Sequence, residues 1–411
     1  MKRAIAILAL TFFATIITAA QDLNGTWSGP FKSNGPAGTF ELTLARASDL
    51  GGNIAVRFGG REVKASLVNA KSDAGKFAFS ADLDGGDTNF TAAVEADRIR
   101  GTFEIFEKKR LTLVGSFCVA RAGSPPCGDA DVPPVPNVQT ATQRADASFD
   151  TSVAKPAYAS KGTKVLFDEA HNNLHKSTTN FKPFADLVRN DGYTITQNAV
   201  PFSSDGLKGF KLLVISNARG EGKGSAFTDA EIDAAVDWVK RGGSLLLVAD
   251  HTPMGEYSER LANRFGVDMS KGYTDDPQNR DPVIKDLLFS RENKLLGDHP
   301  ITRGRNESER INRIVSFTGQ SLKSANGTPV LKLGDTAYDE FPNSDKKIPA
   351  AGRAQAIAIK FGKGKVFVSG EAAMLTAQIS AEDQKFGMNI AGTDDRQFVL
   401  NIMHWLSGLL R

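Results

Sequence analysis

Three apolar runs of strand length end in side chains able to move protons or hold an ion. Ser244-Leu245-Leu246-Leu247-Val248-Ala249 runs into Asp250-His251-Thr252-Pro253, Val165-Leu166-Phe167 into Asp168-Glu169-Ala170-His171, and Lys365-Val366-Phe367-Val368-Ser369 into Gly370-Glu371. Histidine with carboxylates can work as general acid and base or can ligate a divalent metal. Both roles stay open for His171, Asp250, His251 and Glu371, with Asp168 near them. The competing readings are structural: His251 capping its turn or bonding a neighbouring carboxylate, and Glu371 as a helix-start carboxylate held by the dipole of residues 372–374. Thr252 is the only hydroxyl at its turn. A nucleophile there would draw an oxyanion donor from the next backbone N–H, which Pro253 lacks, so Thr252 reads as a turn or cap residue. His171 and His175 are four apart, but Asn172-Asn173 between them disfavours a helix, and no His-Glu-x-x-His motif is present. His299 and His404 read as loop and helix-surface residues without a role.

Groups that follow different strands converge only if those strands run parallel, and the flanking sequence asks for that. Thr228-Asp229-Ala230-Glu231 is a capping box, and Ile232, Ala235, Val236 and Val239 make an apolar stripe that Gly242-Gly243 ends just before Ser244. Residues 181–189 read as a further helix, and 193–200 and 211–217 as strands. Strand and helix alternating at this spacing imply βαβ units, with ligands at the carboxyl edge of the sheet. Residues 354–361 and 365–369 flank Gly362-Lys363-Gly364 as a hairpin, and 257–265 and 396–410 read as helices. Residues 268–281, rich in Gly, Asp, Asn and Pro, read as a long loop bordering the site.

The set Val165-Leu166-Phe167-Asp168, Leu213-Val214-Ile215-Ser216-Asn217, Trp238-Val239-Lys240-Arg241-Gly242-Gly243, the run to Asp250-His251, Gly364 to Glu371, and Asn401-Ile402-Met403-His404-Trp405-Leu406 resembles the class I glutamine-amidotransferase-like superfamily. Within it, the likeness is to uncharacterised and trehalose-utilisation-type branches. It covers about 240 residues and implies an α/β domain over 163–411 with a mostly parallel, flavodoxin-like sheet. The amidotransferases of that superfamily carry a Cys nucleophile in the turn after the strand matching 244–250. This chain departs from them, because its only cysteines are Cys118 and Cys127, so glutamine hydrolysis by that route is excluded.

Ahead of this region, residues 23–120 alternate with period two, as in Phe40, Leu42, Leu44 and Phe77, Phe79, Ala81, Leu83, with turn signals such as Asp84-Gly85-Gly86-Asp87 between runs. Seven or eight antiparallel strands are expected, in a small barrel or sandwich over 21–120. Asn24-Gly25-Thr26-Trp27-Ser28-Gly29 resembles the Gly-x-Trp signature of lipocalin-like barrels, and Trp27 reads as a core plug, with a ligand-holding barrel as the alternative. Residues 121–162, with Val132-Pro133-Pro134-Val135-Pro136, read as an extended linker.

Lys2-Arg3, an apolar stretch and Thr18-Ala19-Ala20 have the three parts of a secretory leader cut after residue 20, which implies a periplasmic or secreted protein. In an oxidising compartment Cys118 and Cys127 pair by default, and two inert thiols are the alternative. Of 50 Lys and Arg, 48 remain after the leader against 47 acids, which leaves no footprint for nucleic acid or anionic lipid. Two classes of function follow. One is a binding protein for a small polar or carbohydrate ligand that keeps the pocket without the nucleophile. The other is a hydrolase or lyase using Asp250, His251, His171 and Glu371, with or without a divalent metal.

Overall fold

The computed structural model describes residues 22–46, 49–59, 61–83, 86–107, 110–136, 143–158, 162–220, 224–341, 344–380 and 383–411. The leader expected over 1–20 lies outside them. The chain divides after residue 142 into two compact units.

The first unit is one antiparallel sheet of nine strands, β1 (Gly25–Ser33), β2 (Gly38–Arg46), β3 (Leu50–Phe58), β4 (Arg61–Ser66), β5 (Val68–Asp73), β6 (Lys76–Leu83), β7 (Gly86–Glu95), β8 (Arg98–Glu107) and β9 (Arg110–Arg121), in the order β4-β3-β2-β1-β9-β8-β7-β6-β5. It is a nearly closed barrel, because the strands at its two ends are joined through Leu67 alone. Strict alternation drives the closure. Along β7, Thr88, Phe90, Ala92 and Val94 are buried while Asp87, Asn89, Thr91 and Ala93 face out. Inside, Phe31 stacks on Phe40 at 4.5 Å and Phe79 on Phe90 at 4.3 Å. Trp27 is fully buried, donates from Nε1 to the Leu23 carbonyl at 3.0 Å and lies under the Arg121 guanidinium at 4.4 Å. Gly29 is needed where β1 meets β9, since a Cβ there would come within 2.2 Å of the Cys118 carbonyl oxygen. Cys118 and Cys127 are disulfide-bonded.

The stretch read as a linker is anchored at both ends. Lys32 donates to the Asp129 carbonyl, Arg98 pairs with Asp131 at 2.9 Å, and Ser116 donates to the Pro134 carbonyl, so residues up to 136 belong to the first unit. Beyond residue 142, β10 (Arg144–Ala145) joins the second unit's sheets, and Phe149, Val153 and Tyr158 pack on its core. Proline-rich composition signals an extended backbone, and extended backbone can lie against a surface as readily as it can span a gap.

The second unit continues with β11 (Lys164–Asp168), α1 (Lys182–Asn190), β12 (Thr194–Asn198), β13 (Leu212–Ser216), α2 (Asp229–Lys240), β14 (Ser244–Val248), α3 (Met254–Arg264), β15 (Val267–Met269), β16 (Tyr273–Asp275), β17 (Leu287–Ser290), α4 (Pro300–Arg303), β18 (Arg313–Ser316), β19 (Leu322–Ser324), β20 (Thr328–Lys332), β21 (Tyr338–Phe341), β22 (Ser344–Pro349), β23 (Ala354–Phe361), β24 (Gly364–Ser369), β25 (Ala377–Ile379), β26 (Lys385–Gly387) and α5 (Asp395–Ser407). Its main sheet has the order β12-β11-β13-β14-β24-β23-β19-β15, with β20 also on β23. Strands β12, β11, β13, β14 and β24 run parallel, while β23, β19, β15 and β20 join antiparallel. The sheet is therefore mixed, not mostly parallel, because after α3 the chain returns through short antiparallel strands. Both faces of the parallel half are covered: Leu246 and Val248 pack with α1 and α5, and Leu245 and Leu247 with α2 and α3. That double burial is why 244–248 is apolar without interruption. Residues 268–281 are not one continuous loop either, since β15 pairs with β19 and β16 with β21, with non-strand backbone only between and after them. Among the described residues no helix is long and apolar enough to cross a membrane.

Candidate functional site

The parallel register carries Asp168, Asn217, Asp250 and Glu371 to one edge of the sheet, Asp168 as the last residue of β11 and the others just past the ends of β13, β14 and β24. They form two groups.

In the first, His171 is clamped between two acids. Its Nδ1 lies 2.9 Å from both oxygens of the fully buried Asp168, and its Nε2 lies 2.8 Å from Glu231 Oε1. Phe202 and Phe227 flank the ring at 4.7 Å. Burial works against a charge on His171, but Asp168 and Glu231 outweigh it and hold its pKa above the usual histidine value. Glu231 serves two purposes. It completes the capping box with Thr228 and also accepts from the Phe202 N–H at 3.0 Å; these bonds and His171 overcome burial and lower its pKa. Both ring nitrogens of His171 are thus engaged within the protein, so the ring braces Asp168 against Glu231 and does not join the Asp250 group.

In the second group Asp250 is the centre. Asn217, whose φ of 44° is in the left-handed region, grips it with both amide atoms, donating from Nδ2 to Oδ2 at 2.6 Å and accepting the Asp250 N–H at 2.9 Å. Gln320 donates to the carbonyls of Ala249 and Asp250, both at 2.9 Å. Asp250 Oδ1 is buried without a hydrogen-bond partner among the described residues, as is Glu256 Oε2 in the first turn of α3. Burial raises the Asp250 pKa against the Asn217 bond, the nearby His251 and the Ala372 N–H. Glu371 caps its own turn, accepting from Ala373 N–H at 2.6 Å and Met374 N–H at 2.8 Å. Burial, with the charge of Asp250 beside it, still pushes its pKa well above the carboxylate range. Gly319 lets Glu371 in, because a Cβ on it would lie 2.7 Å from the Glu371 Cβ.

His251 stands at the mouth of this group. Its ring stacks on Tyr273 at 3.7 Å, its Nδ1 pairs with the Thr252 carbonyl at 2.9 Å, and both residues reach solvent. No hydrogen bond joins His251 to Glu371 among the described residues; Asp250 stands between them electrostatically. Thr252 donates to Glu256 at 2.6 Å, which leaves it a turn residue as expected. Among the described residues no group of three or more His, Cys, Asp or Glu is arranged to hold a metal ion.

A hydrogen-bonded strip links the two groups. Asn173 donates to Asp168 and to the Ser216 carbonyl, while His175 Nδ1 meets Ser216 Oγ at 3.1 Å and Asn217 Nδ2 at 3.4 Å. Burial, with the Arg219 charge, lowers the His175 pKa to about 3, so its Nδ1 accepts at neutral pH. An unfolded histidine titrates near 6.5, so the unfolded chain takes up a proton that folded His175 refuses. Stability should therefore fall as pH drops below about 6.5. Between pH 7 and pH 5 this one group costs about 2 kcal/mol. His175→Gln should remove that much of the wild-type loss in urea unfolding at the two pH values; an unchanged slope would refute the assignment.

No family model matches the chain, and no curated protein matches it. Solved structures resemble it faintly. The mmIFT52 N-terminal domain is 17% identical over 60% of this chain and 98% of that one, with a TM-score of 0.44. Cytoplasmic protein STM3548 from Salmonella typhimurium is 13% identical over 60% and 99%, at 0.39. A redesigned β barrel is 10% identical over 24% and 90%, at 0.20. Likenesses this slight specify neither a family nor an activity.

Four contributors escaped the sequence reading: Glu231, Asn217, Gln320 and Tyr273. Glu231 had a signal, as the last residue of a capping box, but nothing in that motif says which side chain its other oxygen meets. His299 and His404 are buried, not exposed: His299 caps α4, and His404 bonds Asp191 at 2.7 Å.

Proposed function

We propose that the second unit binds a small polar ligand of the carbohydrate type at the Asp250 edge of its sheet. The observation that carries this reading is the orphaned Oδ1 of Asp250, since the Ala372 N–H that acts on this carboxylate does not reach hydrogen-bond geometry. A buried acceptor without a donor is costly, and a ligand hydroxyl supplies the missing bond. The second orphaned acceptor, on Glu256, asks for the same chemistry, and the exposed Tyr273–His251 stack offers a flat face for a sugar ring. The parallel strands follow the order second-first-third-fourth-fifth, that of flavodoxin-like sheets, in which ligands sit at the carboxyl edge. This agrees with membership of the amidotransferase-like superfamily without its nucleophile. The leader-like N-terminus and the paired cysteines support an exported protein.

One observation favours an enzyme instead. Burial keeps the Asp250 and Glu371 carboxyls protonated to higher pH than usual, and a protonated acid beside a ligand can serve as a general acid. Glu371 has both oxygens on backbone N–H groups, so Asp250 would take that part in a hydrolase or lyase.

Calorimetric titration with neutral mono- and disaccharides, trehalose included, tests the binding reading. One of them should bind saturably, and Asp250→Ala should weaken it by about 10- to 100-fold, the loss of one hydrogen bond to a charged or buried partner. Binding that survives the substitution unchanged, or no binding by any sugar of the panel, overturns it. Release of product from the bound sugar would move the protein to the enzyme class.

A further inference from the structure

A groove of about 700 Å³ lies along α5, and none of its lining residues belongs to the Asp250 group. Its size is that of a small-molecule site. Two carboxylates line it, and both are already matched. Asp191 receives His404 Nε2 at 2.7 Å and the Ala157 N–H at 2.8 Å. Glu309 receives Arg305 Nε at 2.9 Å on each oxygen and the Arg305 backbone N–H at 3.0 Å. Three cations line the same groove: Lys155, Arg305 and Arg396. They are far from saturated. A guanidinium carries five N–H donors. Arg305 spends Nε and Nη2 on Glu309, Arg396 gives Nη2 to the Ser152 carbonyl and feels the Asp150 carboxylate outside the groove lining, and exposed Lys155 has no acceptor among the described residues.

The concavity therefore offers surplus donors and one more cation than carboxylate among its lining residues, while its own acceptors are occupied. A neutral sugar would leave the Lys155 charge and the free N–H groups of Arg305 and Arg396 without a charged acceptor. A cationic ligand would meet repulsion from Lys155 and Arg396. We propose that this groove binds a small polyanion, with carboxylate or phosphate oxygens received by the Arg396 and Arg305 forks and by Lys155.

The test is calorimetric titration of the full chain with citrate and, separately, with inorganic phosphate, at ionic strength held constant with sodium chloride. Saturable binding of citrate alone assigns a carboxylate ligand, of phosphate alone a phosphate ligand, and of both the shared anion chemistry. The double variant Lys155→Gln, Arg396→Gln should weaken binding at least tenfold while its thermal transition stays in place. Arg305 is left untouched, because removing it would strand the Glu309 carboxylate. Asp250→Asn should bind the anion as the wild type does, so that the groove and the saccharide site succeed or fail separately. No saturable binding of either anion, or a double variant that loses less than tenfold, overturns the proposal.

Discussion

Replacing His171 with alanine should destabilise the second unit by about 3–5 kcal/mol, the usual penalty for stripping one partner from a buried charged cluster. Among the described residues the ring is the only cationic group bonded to both Asp168 and Glu231, and it fills the space between Phe202 and Phe227. Without it, Asp168 keeps only amide donors from Asn173 and Asn198 and the Ala170 N–H, which do not cancel a full charge. The pH dependence identifies the cause. Because the folded-state pKa of His171 is raised, its contribution is complete below the unfolded value near 6.5 and is lost as pH climbs through the folded value. The gap between variant and wild type should thus be widest near pH 6 and shrink toward alkaline pH. Differential scanning calorimetry reads it as a Tm drop of roughly 6–20 °C for a unit of this size. A drop of only a degree or two would mean that the acids do not depend on the histidine.

The second large effect belongs to the barrel. Trp27→Ala should cost about 3–5 kcal/mol, since it empties a fully buried indole site, leaves the Leu23 carbonyl without its donor and removes the surface on which Arg121 rests. Trp27→Phe keeps most of the volume and should cost roughly 1–2 kcal/mol, the hydrogen bond alone. Urea unfolding followed on the first unit's β signal separates the two, and equal costs for both variants would place the energy in the indole N–H instead of the packing.

The parts of the fold legible in the sequence are those with a short-range period. The strand 244–248, buried on both faces, and the alternation of β7 announce themselves within a few residues, and so does the capping box of α2. The antiparallel half does not. Strands β15, β16 and β19 are three residues each and find partners such as β21 far along the chain, so no local pattern separates them from a Gly- and Asp-rich loop. That same misreading hid Tyr273, which β16 delivers to His251. At the candidate site, Asp250 and Glu371 were legible as acids that follow apolar strands, and Glu371 also takes the turn-capping part that its sequence allowed. His171 had the same signature, but its partner Glu231 lies 60 residues on, in α2, where no local pattern points to it. Asn217 looked like any turn asparagine, and only its left-handed backbone and its two-handed hold on Asp250 set it apart.

The strand order of the barrel also governs when it can exist. A chain made from its N-terminus completes β1 first, yet one edge of β1 waits for β9, where Trp27 faces Arg121 and Phe31 faces Phe117. Until then the growing chain can only be two open meanders, β1–β4 and β5–β8, hinged at Leu67, each showing a bare hydrogen-bonding edge and half of a phenylalanine core. Exposed edges of that kind pair with neighbouring chains. Strand β9 is therefore the latch of the unit: it alone pairs with both β1 and β8, and without it those two strands would each keep an open edge.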